Sequence, residues 1–458
     1  MPKKAAFHNL GCRVNAYETE AMLEQLKADG YEIVPFGTPA DVCVVNTCTV
    51  THIADRKSRQ MLHRARELNP SAVVVAAGCY VEDAGEEILK DGTVDLIIGN
   101  HAKSQLSAIL RLRESGETRA VYTEPIEAVR EYEKIFISET EGRTRAFLKI
   151  QDGCNEFCSY CMIPYVRGRV RSRDADDIVK ETAVLAAKGY AEIVLTGIHI
   201  SSYGIDFDGR GSDSRLADAG EAKTNYRLLD LARRTAAVPG VKRIRFGSLE
   251  PGIMTEDFVR GLAEIPEICP QFHLSLQSGC DATLSRMKRH YTTAAYSEIC
   301  GRLRAAFANP AITTDLIAGF PGETEEEFLA TVEFVRSLHF AKTHVFKYSR
   351  RKGTRADKMP DQVPDHLKKT RSDVLIALDA ESRHRYAESF TGKTVEVLFE
   401  EREAKDGLFI NTGHTREALD AVLKGPEDLT GRVMQCHVRE VLPDGTVSVE
   451  DSQGILAK

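Results

Sequence analysis

Short apolar runs alternate with helical patterns along most of this 458-residue sequence, and that alternation limits the folds the chain can adopt. Near the N-terminus, runs such as DVCVVNT, AVVVAAG and DLIIGN are separated by stretches such as YETEAMLEQLKA and ADRKSRQMLHRARE. An alternation of strands and helices favours a parallel sheet covered by helices on both faces. The pattern therefore predicts a doubly wound α/β domain over residues 1–115.

Two further domains are predicted after a linker. Residues 116–142 are polar, charged and weakly periodic, which is typical of a linker. Over residues 143–388, six strand-and-helix units predict a partial TIM-type barrel, whose chemistry belongs at the carboxyl ends of its strands. Within it, residues 204–224 are rich in Asp, Gly and Ser, which predicts a surface loop. Residues 389–458 contain short alternating strands that predict a small β barrel, either an RNA-binding fold or a structural cap.

The cysteine content and the lack of long apolar segments narrow the class of protein. The chain has eleven cysteines, no secretion signal and no run of about 20 apolar residues. An odd cysteine number in such a chain disfavours a disulfide framework and favours metal binding or catalysis. We therefore expect a cytosolic protein that is not anchored in a membrane.

The charge of the chain is unevenly distributed. The net charge of −7 argues against nonspecific coating of nucleic acid. Residues 143–173 nevertheless contain seven Lys or Arg and two Asp or Glu, and residues 342–358 contain seven and one. These local charges of +5 and +6 suit contacts with phosphates, although two solvated surfaces would give the same pattern.

The stretch DGCNEFCSYC places three cysteines, Cys154, Cys158 and Cys161, within eight positions. A structural zinc site normally needs four Cys or His ligands, whereas three thiolates on an iron–sulfur cube leave one iron open. The spacing allows a short loop to wrap one corner of a cube, and Phe157 and Tyr160 can shield it from water. We favour a cluster at this cysteine triplet; zinc with a distant fourth ligand is the alternative.

A second set of cysteines lies at strand ends. Cys12, Cys48 and Cys79 each follow an apolar run, at the carboxyl end of a predicted strand. Open α/β sheets bind their ligands at that edge, so these strand-end cysteines are expected to converge there. Cys43, inside the run DVCVVN, is interpreted as a small buried hydrophobic residue.

The C-x3-C-x2-C spacing, with an aromatic residue before the last cysteine, resembles the signature of radical S-adenosylmethionine (SAM) enzymes. In that family SAM chelates the open iron, and its cleavage yields a 5′-deoxyadenosyl radical. The stretches NLGCRVNAYETE, VVNTCTVT and AAGCY and the terminal barrel resemble the methylthiotransferase subgroup, which has an N-terminal cluster domain and an RNA-binding TRAM domain. The resemblance implies that Cys12, Cys48 and Cys79 hold a second [4Fe–4S] cluster.

Within this subgroup, LGCRVN and LTGIHISSYG resemble the branch that methylthiolates N6-threonylcarbamoyladenosine at position 37, next to the tRNA anticodon. Branches acting on isopentenyladenosine or on a ribosomal protein are alternatives, and a noncatalytic zinc and RNA-binding protein is an alternative of another class. The resemblance implies two [4Fe–4S] clusters and SAM as cofactors. It implies the tRNA anticodon stem-loop, an electron donor and a sulfur donor as partners, and the sequence identifies neither donor.

The resemblance also suggests which residues contact the cofactor. Glycines at strand ends permit close backbone approach, and a carboxylate suits ribose hydroxyls. His199 is either an acid or base or a structural histidine. The candidate cofactor contacts are Thr196, Gly197, Glu250, Gln277, Arg289, Gly319 and Gly322.

Two basic segments are candidates for RNA contacts. In IPYVRGRVRSR, arginines occupy every second position, so that in an extended segment their side chains share one face. This arginine stretch comprises Arg167, Arg169, Arg171 and Arg173. The basic run within YSRRKGTRA comprises Arg350, Arg351 and Lys352.

Overall fold

The computed structural model describes residues 1–90, 92–140, 142–207, 224–405 and 407–452. Of the predicted insertion at 204–224, positions 208–223 lie outside the described residues. The predicted fold class is confirmed: a parallel-sheet α/β domain, a partial barrel and a small closed β barrel follow one another along the chain.

The N-terminal domain is a six-stranded parallel sheet with the strand order β2-β1-β3-β4-β5-β6. The two central strands, β3 and β4, are buried almost throughout because helices cover both faces of the sheet. The strands are β1 (Lys4–Asn9), β2 (Glu32–Val34), β3 (Val42–Thr47), β4 (Val73–Gly78), β5 (Leu96–Ile98) and β6 (Val121–Tyr122). The helices are α1 (Arg13–Ala28), α2 (His52–Leu68), α3 (Cys79–Ala84) and α4 (Leu106–Glu114).

The segment predicted as a linker is part of the folded body. Its strand β6 pairs in parallel with β5 and extends the N-terminal sheet. Further along, Ile135 and Ile137 are buried in the core of the following domain. Because its apolar residues are few and widely spaced, their burial could not be read from periodicity.

The middle domain is a partial barrel built from two four-stranded sheets, ordered β10-β9-β7-β8 and β11-β12-β13-β14. The strands are β7 (Arg145–Asp152), β8 (Arg171–Ser172), β9 (Glu192–Gly197), β10 (Arg243–Phe246), β11 (Ser248–Leu249), β12 (Gln271–Leu274), β13 (Ala311–Ala318) and β14 (Lys342–Lys347). The helices are α5 (Ile163–Val166), α6 (Ala175–Ala187), α7 (Tyr226–Ala236), α8 (Glu256–Ala263), α9 (Asp281–Arg286), α10 (Thr293–Ala306), α11 (Glu325–Leu338) and α12 (Asp365–Glu388).

Strand alternation divides the side chains of this barrel between an apolar core and a polar interior. Ala146, Leu148 and Ile150 of β7 pack with the surrounding helices in the main hydrophobic core. The intervening residues, such as Lys149 and Gln151, point to the other side, as the period of two requires. This second face of β7 is buried and carries polar side chains.

The C-terminal domain is a closed five-stranded barrel in the order β15-β16-β17-β19-β18. It docks against the middle domain through Glu192, which accepts from Arg245 Nε at 2.9 Å and lies 3.0 Å from His414 Nε2. Burial alone would raise the pKa of Glu192, but Arg245 and His414 hold it well below the usual value. The strands are β15 (Thr394–Lys405), β16 (Leu408–Thr415), β17 (Asp420–Gly425), β18 (Val433–Val441) and β19 (Val447–Asp451).

None of the helices in the described part of the chain combines the length and the apolar composition that a membrane span requires.

Candidate active site

The cysteine triplet lies in the loop between β7 and α5. The loop closes tightly: Cys154 N donates to Gly168 O at 3.1 Å, and Cys161 N donates to Cys158 O at 3.0 Å. Gly153 has a φ of +72°, and a Cβ there would lie 1.8 Å from the Arg169 carbonyl oxygen, so only glycine fits. The local fold thus holds three thiols on one short loop.

The other side of the triplet loop is anchored to distant parts of the barrel. Ser159 N donates to Met287 O at 3.0 Å, and Ser159 O accepts from Ala356 N at 2.8 Å. The Tyr160 ring contacts the Phe320 ring edge-on, with their centroids 6.2 Å apart. These contacts fix the loop relative to β13 and the segment after β14.

The thiols of the triplet favour a cation as partner. The pKa of Cys154 is raised well above its usual value and that of Cys161 to about 12, chiefly by burial and in part by neighbouring thiols. Such sulfurs become thiolates only when a positive group binds them. Within the described ranges, no three His, Cys, Asp or Glu side chains converge closely enough to hold a single metal ion. In a cube each thiolate binds a different iron, so this donor set fits a [4Fe–4S] cluster.

The strand-end cysteines are brought together at one edge of the N-terminal sheet. Cys12 precedes α1, Cys48 follows β3, and Cys79 begins α3 directly after β4. Because β1, β3 and β4 are adjacent and parallel, their carboxyl ends meet. The pKa of Cys48 is raised to about 11, chiefly by burial and in part by the nearby Cys79 and Cys12. The sequence prediction that these three cysteines converge agrees with this arrangement.

Arg167 joins the strand-end cysteines to the middle domain. Its Nε donates to Cys79 Sγ at 3.2 Å, and its Nη1 donates to Glu18 at 2.8 Å and to Asp152 at 3.1 Å. Lys149 Nζ binds the same two carboxylates, at 2.7 Å and 2.6 Å. All of these groups are buried, and the network packs α1 against β7. Lys103 also pairs with Glu18, and Arg171 lies 3.6 Å from Asp152, so the buried cations outnumber the two carboxylates.

The arginine stretch does not form the RNA-facing row that we predicted. Arg167, Arg171 and Arg173 are buried, at 0%, 2% and 5% exposure. Arg173 pairs with Glu181, and Arg171 donates to the carbonyl oxygens of Arg167 and Arg169. Arg169 is partly exposed and lies over the Phe157 ring. The segment is not extended throughout, because Arg167 caps the end of α5 and only Arg171–Ser172 forms a strand. Three of these guanidiniums are buried inside the protein and cannot reach phosphates.

In the basic run, Arg351 is buried in an ion-pair network and is not available to RNA. Arg351 is 3% exposed; it pairs with Asp55, donates to Thr49 Oγ1 at 2.7 Å and lies 3.2 Å from Asp83. It therefore links the segment after β14 to α2 and α3, the helices that follow Cys48 and begin at Cys79. Arg350 is exposed and pairs with Asp357 at 2.6 Å, and Lys352 is exposed.

Glu250 and Arg289, two candidate cofactor contacts, lie beside the triplet. Arg289 Nη1 donates to Cys158 Sγ at 3.2 Å, and its Nη2 donates to Glu250 at 2.6 Å. His199 Nε2 lies 3.8 Å from Glu250 and is a buried atom without a hydrogen-bond partner among the described residues. Buried polar atoms are normally satisfied, so a ligand that bonds His199 and Glu250 fits this corner.

Gln277, Thr196 and Gly319 are placed at or just after strand ends, but two of the candidate glycines pack against helices. Gln277 has a φ of +70° and is tied through its backbone to Asp315 and Ile317 of β13. A Cβ on Gly319 would lie 2.4 Å from Lys368 Cγ, and one on Gly322 would lie 3.3 Å from Arg286 Nε. Packing against α12 and α9 accounts for these glycines.

A cleft of about 730 Å³ brings the three domains together. Gly11, Cys12 and Arg13 line it from the N-terminal domain, and His414 lines it from the C-terminal barrel. From the middle domain, the lining residues include Arg145, Thr196, Gly197, Arg245, Asp315 and His344. A substrate in this cleft would contact Cys12 on one side and the interior of the partial barrel on the other.

Sequence reasoning missed Arg13 and the network around Glu18. The Arg13 side chain is exposed to the cleft, yet the surrounding protein and the Arg145 and Arg245 guanidiniums lower its pKa to about 10. Its position directly after Cys12 was the available signal. No sequence signal pointed to Glu18, because a single Glu on an amphipathic helix is normally interpreted as a solvent-exposed residue.

Comparison with known proteins identifies two family models and a set of relatives. Residues 4–99 match the uncharacterized protein family UPF0004, and residues 148–335 match the Radical SAM superfamily. The threonylcarbamoyladenosine tRNA methylthiotransferase MtaB of Bacillus subtilis is 39% identical, over 94% of this chain and 93% of its own length. The enzyme of the same name from Aquifex aeolicus is 38% identical, over 86% and 92%. The tRNA-2-methylthio-N(6)-dimethylallyladenosine synthase of Acidothermus cellulolyticus is 35% identical, over 88% and 79%.

A solved structure supports the fold. The radical SAM methyltransferase TsrM from Kitasatospora setae, with cobalamin and a [4Fe–4S] cluster bound, superposes with a TM-score of 0.56 at 17% identity. The match covers 78% of this chain and 77% of that one. At this identity the likeness concerns the architecture alone.

Proposed function

Because the chain belongs to the radical SAM family of tRNA methylthiotransferases, we propose that it converts N6-threonylcarbamoyladenosine at position 37 of tRNA into its 2-methylthio derivative. The observation that carries this choice of substrate is the 39% identity to an enzyme named for that nucleoside, over nearly the full length of both chains. A dimethylallyladenosine substrate is the second candidate, since relatives named for that nucleoside reach 35% identity.

The chain is a radical SAM enzyme that binds a [4Fe–4S] cluster and SAM and acts on tRNA. When bound, these cofactors supply abstraction of a hydrogen atom from an unreactive C–H bond, and SAM also supplies the methyl group. Cys154, Cys158 and Cys161 would hold the cluster, and Arg289 supports it by donating to Cys158. Glu250, fixed by Arg289, and His199, with its unpartnered Nε2, would orient SAM.

A second [4Fe–4S] cluster at Cys12, Cys48 and Cys79 is part of the proposal. Their convergence at the carboxyl ends of three adjacent parallel strands supports it, as does the burial that keeps the Cys48 and Cys79 thiols protonated without a bound cation. Arg167 would orient Cys79 and stabilise its negative charge through the 3.2 Å contact. Cys12, which lines the cleft, would hold this second cluster at the edge of the substrate site, and the chemistry the cluster would supply is a source of sulfur.

The tRNA anticodon stem-loop would enter the cleft between the three domains. The C-terminal barrel lines this cleft together with the partial barrel, and this position supports a role for that barrel as a TRAM-type RNA-binding module. Of the basic side chains predicted to meet phosphates, Lys352 and Arg350 remain on the surface. An electron donor and a sulfur donor would act from outside the chain, and the substrate places the enzyme in the cytoplasm.

Deleting the gene for this chain tests the substrate directly. We expect the 2-methylthio derivative of N6-threonylcarbamoyladenosine to disappear from total tRNA, and its unmodified precursor to accumulate, in nucleoside mass spectrometry. Re-expression of the wild-type chain should restore the product, and re-expression of a Cys158→Ala variant should not. Loss of methylthiolated dimethylallyladenosine instead would assign the chain to the other substrate.

A further inference from the structure

Arg13 is a guanidinium of the cleft for which the described residues provide no ion-pair partner. Arg13 lies at the start of α1, directly after Cys12, and lines the cleft. In the part of the chain that the structure describes, no hydrogen bond or ion pair of Arg13 is found; its nearest partner is the Phe147 ring, 5.4 Å from the guanidinium carbon. An arginine on a convex surface is solvated by water and needs no protein partner. An unpaired arginine inside a cleft can instead pair with a ligand that binds there.

The carboxylates near Arg13 are occupied by other cations. Glu192 is shared by Arg245 at 2.9 Å, His414 at 3.0 Å and Arg243 at 3.4 Å. Glu400 pairs with Arg145 at 3.0 Å and lies 2.7 Å from His414. The positive charge of Arg13 is therefore surplus on this wall of the cleft.

Other carboxylates of the cleft do not neutralise it either. Glu417, Asp420 and Asp444 line the cleft from the C-terminal barrel, and across the described residues none of them pairs with Arg13. Asp315, on β13, lies 3.3 Å from His273 Nε2. The wall around Arg13 thus presents a fixed positive group to a ligand that carries a negative one.

Phe147 holds this guanidinium in place. Three arginines surround the Phe147 ring, with Arg13, Arg143 and Arg145 at 5.4, 4.9 and 5.8 Å from its centroid. A cation over an aromatic face is attracted to the ring and loses part of its freedom, which lowers the cost of ordering it around a ligand. Arg143 lies on the same ring but does not line the cleft.

We propose that Arg13 binds the carboxylate of the threonylcarbamoyl group and so selects that nucleoside over one with an apolar N6 substituent. This inference rests on the proposed function. The threonylcarbamoyl group ends in a free carboxylate, which suits the planar donor fork of a guanidinium, whereas a dimethylallyl group offers nothing to it. Since Arg13 adjoins Cys12, the bound carboxylate would hold the base beside the strand-end cysteines.

The test compares two anticodon stem-loop RNAs that differ only in charge. One carries N6-threonylcarbamoyladenosine, and the other carries the same nucleoside with the threonine carboxylate replaced by its amide. For Arg13→Gln we expect the Kd of the carboxylate RNA to rise about 10- to 100-fold, and the Kd of the amide RNA to change less than about threefold. Arg13→Lys should recover part of the affinity for the carboxylate RNA, because lysine keeps the positive charge but lacks the two parallel N–H donors of a guanidinium. Arg143 also lies over the Phe147 ring but does not line the cleft. Arg143→Gln therefore removes one positive charge near that ring and should leave the ratio of the two Kd values as in the wild type.

The outcomes separate this inference from the proposed function. If the wild-type chain methylthiolates dimethylallyladenosine RNA and leaves the threonylcarbamoyl RNA unchanged, the proposed function is wrong. If the wild type acts on the threonylcarbamoyl RNA but Arg13→Gln weakens both RNAs equally, or neither, Arg13 does not read the carboxylate. Each variant is judged by the ratio of its Kd values for the two RNAs. A general loss of folding or of cluster content would weaken both RNAs and would not change that ratio as expected.

Discussion

Replacing Cys48 with alanine should abolish formation of the methylthio product while reductive cleavage of SAM continues. Cys48 lies with Cys12 and Cys79 at the edge of the N-terminal sheet, whereas the triplet and Glu250 lie in the middle domain. Mutating a residue that only supports a metal ligand can lower activity roughly 100-fold. Because Cys48 is a predicted ligand itself, its loss should reduce product formation by more than that. The measurement is anaerobic turnover with separate quantification of 5′-deoxyadenosine and of methylthiolated nucleoside.

Cys43 provides the matched control for this substitution. It lies on β3, the strand that Cys48 directly follows, and is buried in the apolar core between the sheet and α2. Cys43→Ala should therefore lose some packing energy and retain both activities. Normal product formation by Cys48→Ala would remove this residue from the ligand set and with it the proposed second cluster.

The second large effect concerns the iron content. The fully reconstituted chain should contain about eight irons, and the triple variant Cys154→Ala, Cys158→Ala, Cys161→Ala about four, because each cluster holds four. The triple variant should also lose SAM cleavage entirely, since the cluster it lacks is the one beside Glu250 and Arg289.

Three cysteines outside both sets serve as the control. The residues Cys43, Cys300 and Cys436 lie in three separate hydrophobic cores. Replacing all three with alanine removes the same number of thiols as the triplet variant does, but none of them is a predicted ligand. Iron and acid-labile sulfide should stay at the wild-type level. If the triplet variant instead lost all iron, the chain would hold one cluster and the role of the strand-end cysteines would need another explanation.

The elements and the cysteine sites were predictable because their signals are local. An apolar run such as AVVVAAG is a buried strand wherever it lies, and Cys79 directly after it must then lie at a strand end. Three such placements on adjacent parallel strands produce convergence without further information. The triplet is more local still, since one loop contains it.

The roles of the charged residues were not predictable, because each depends on a partner far away in the sequence. Arg167 meets Glu18, 149 positions earlier, and Arg351 meets Asp55, 296 positions earlier. The alternation of arginines indicates one shared face only if the segment is extended, and whether the side chains meet solvent or buried carboxylates is decided by how α1 docks on β7. Glycines are ambiguous for the same reason: Gly319 at a strand end resembles a cofactor cradle, and only the position of Lys368 reveals a packing role.

The central claim is that this chain methylthiolates N6-threonylcarbamoyladenosine, and one measurement tests it most directly. Reconstituted enzyme would be incubated anaerobically with a reductant, sulfide, SAM carrying a deuterated methyl group, and an equal mixture of stem-loops bearing the threonylcarbamoyl and the dimethylallyl nucleoside. Mass spectrometry of the digested RNA should show the deuterated methylthio group almost entirely on the threonylcarbamoyl nucleoside. Label found on the dimethylallyl nucleoside, with the threonylcarbamoyl nucleoside recovered unchanged, would contradict the claim.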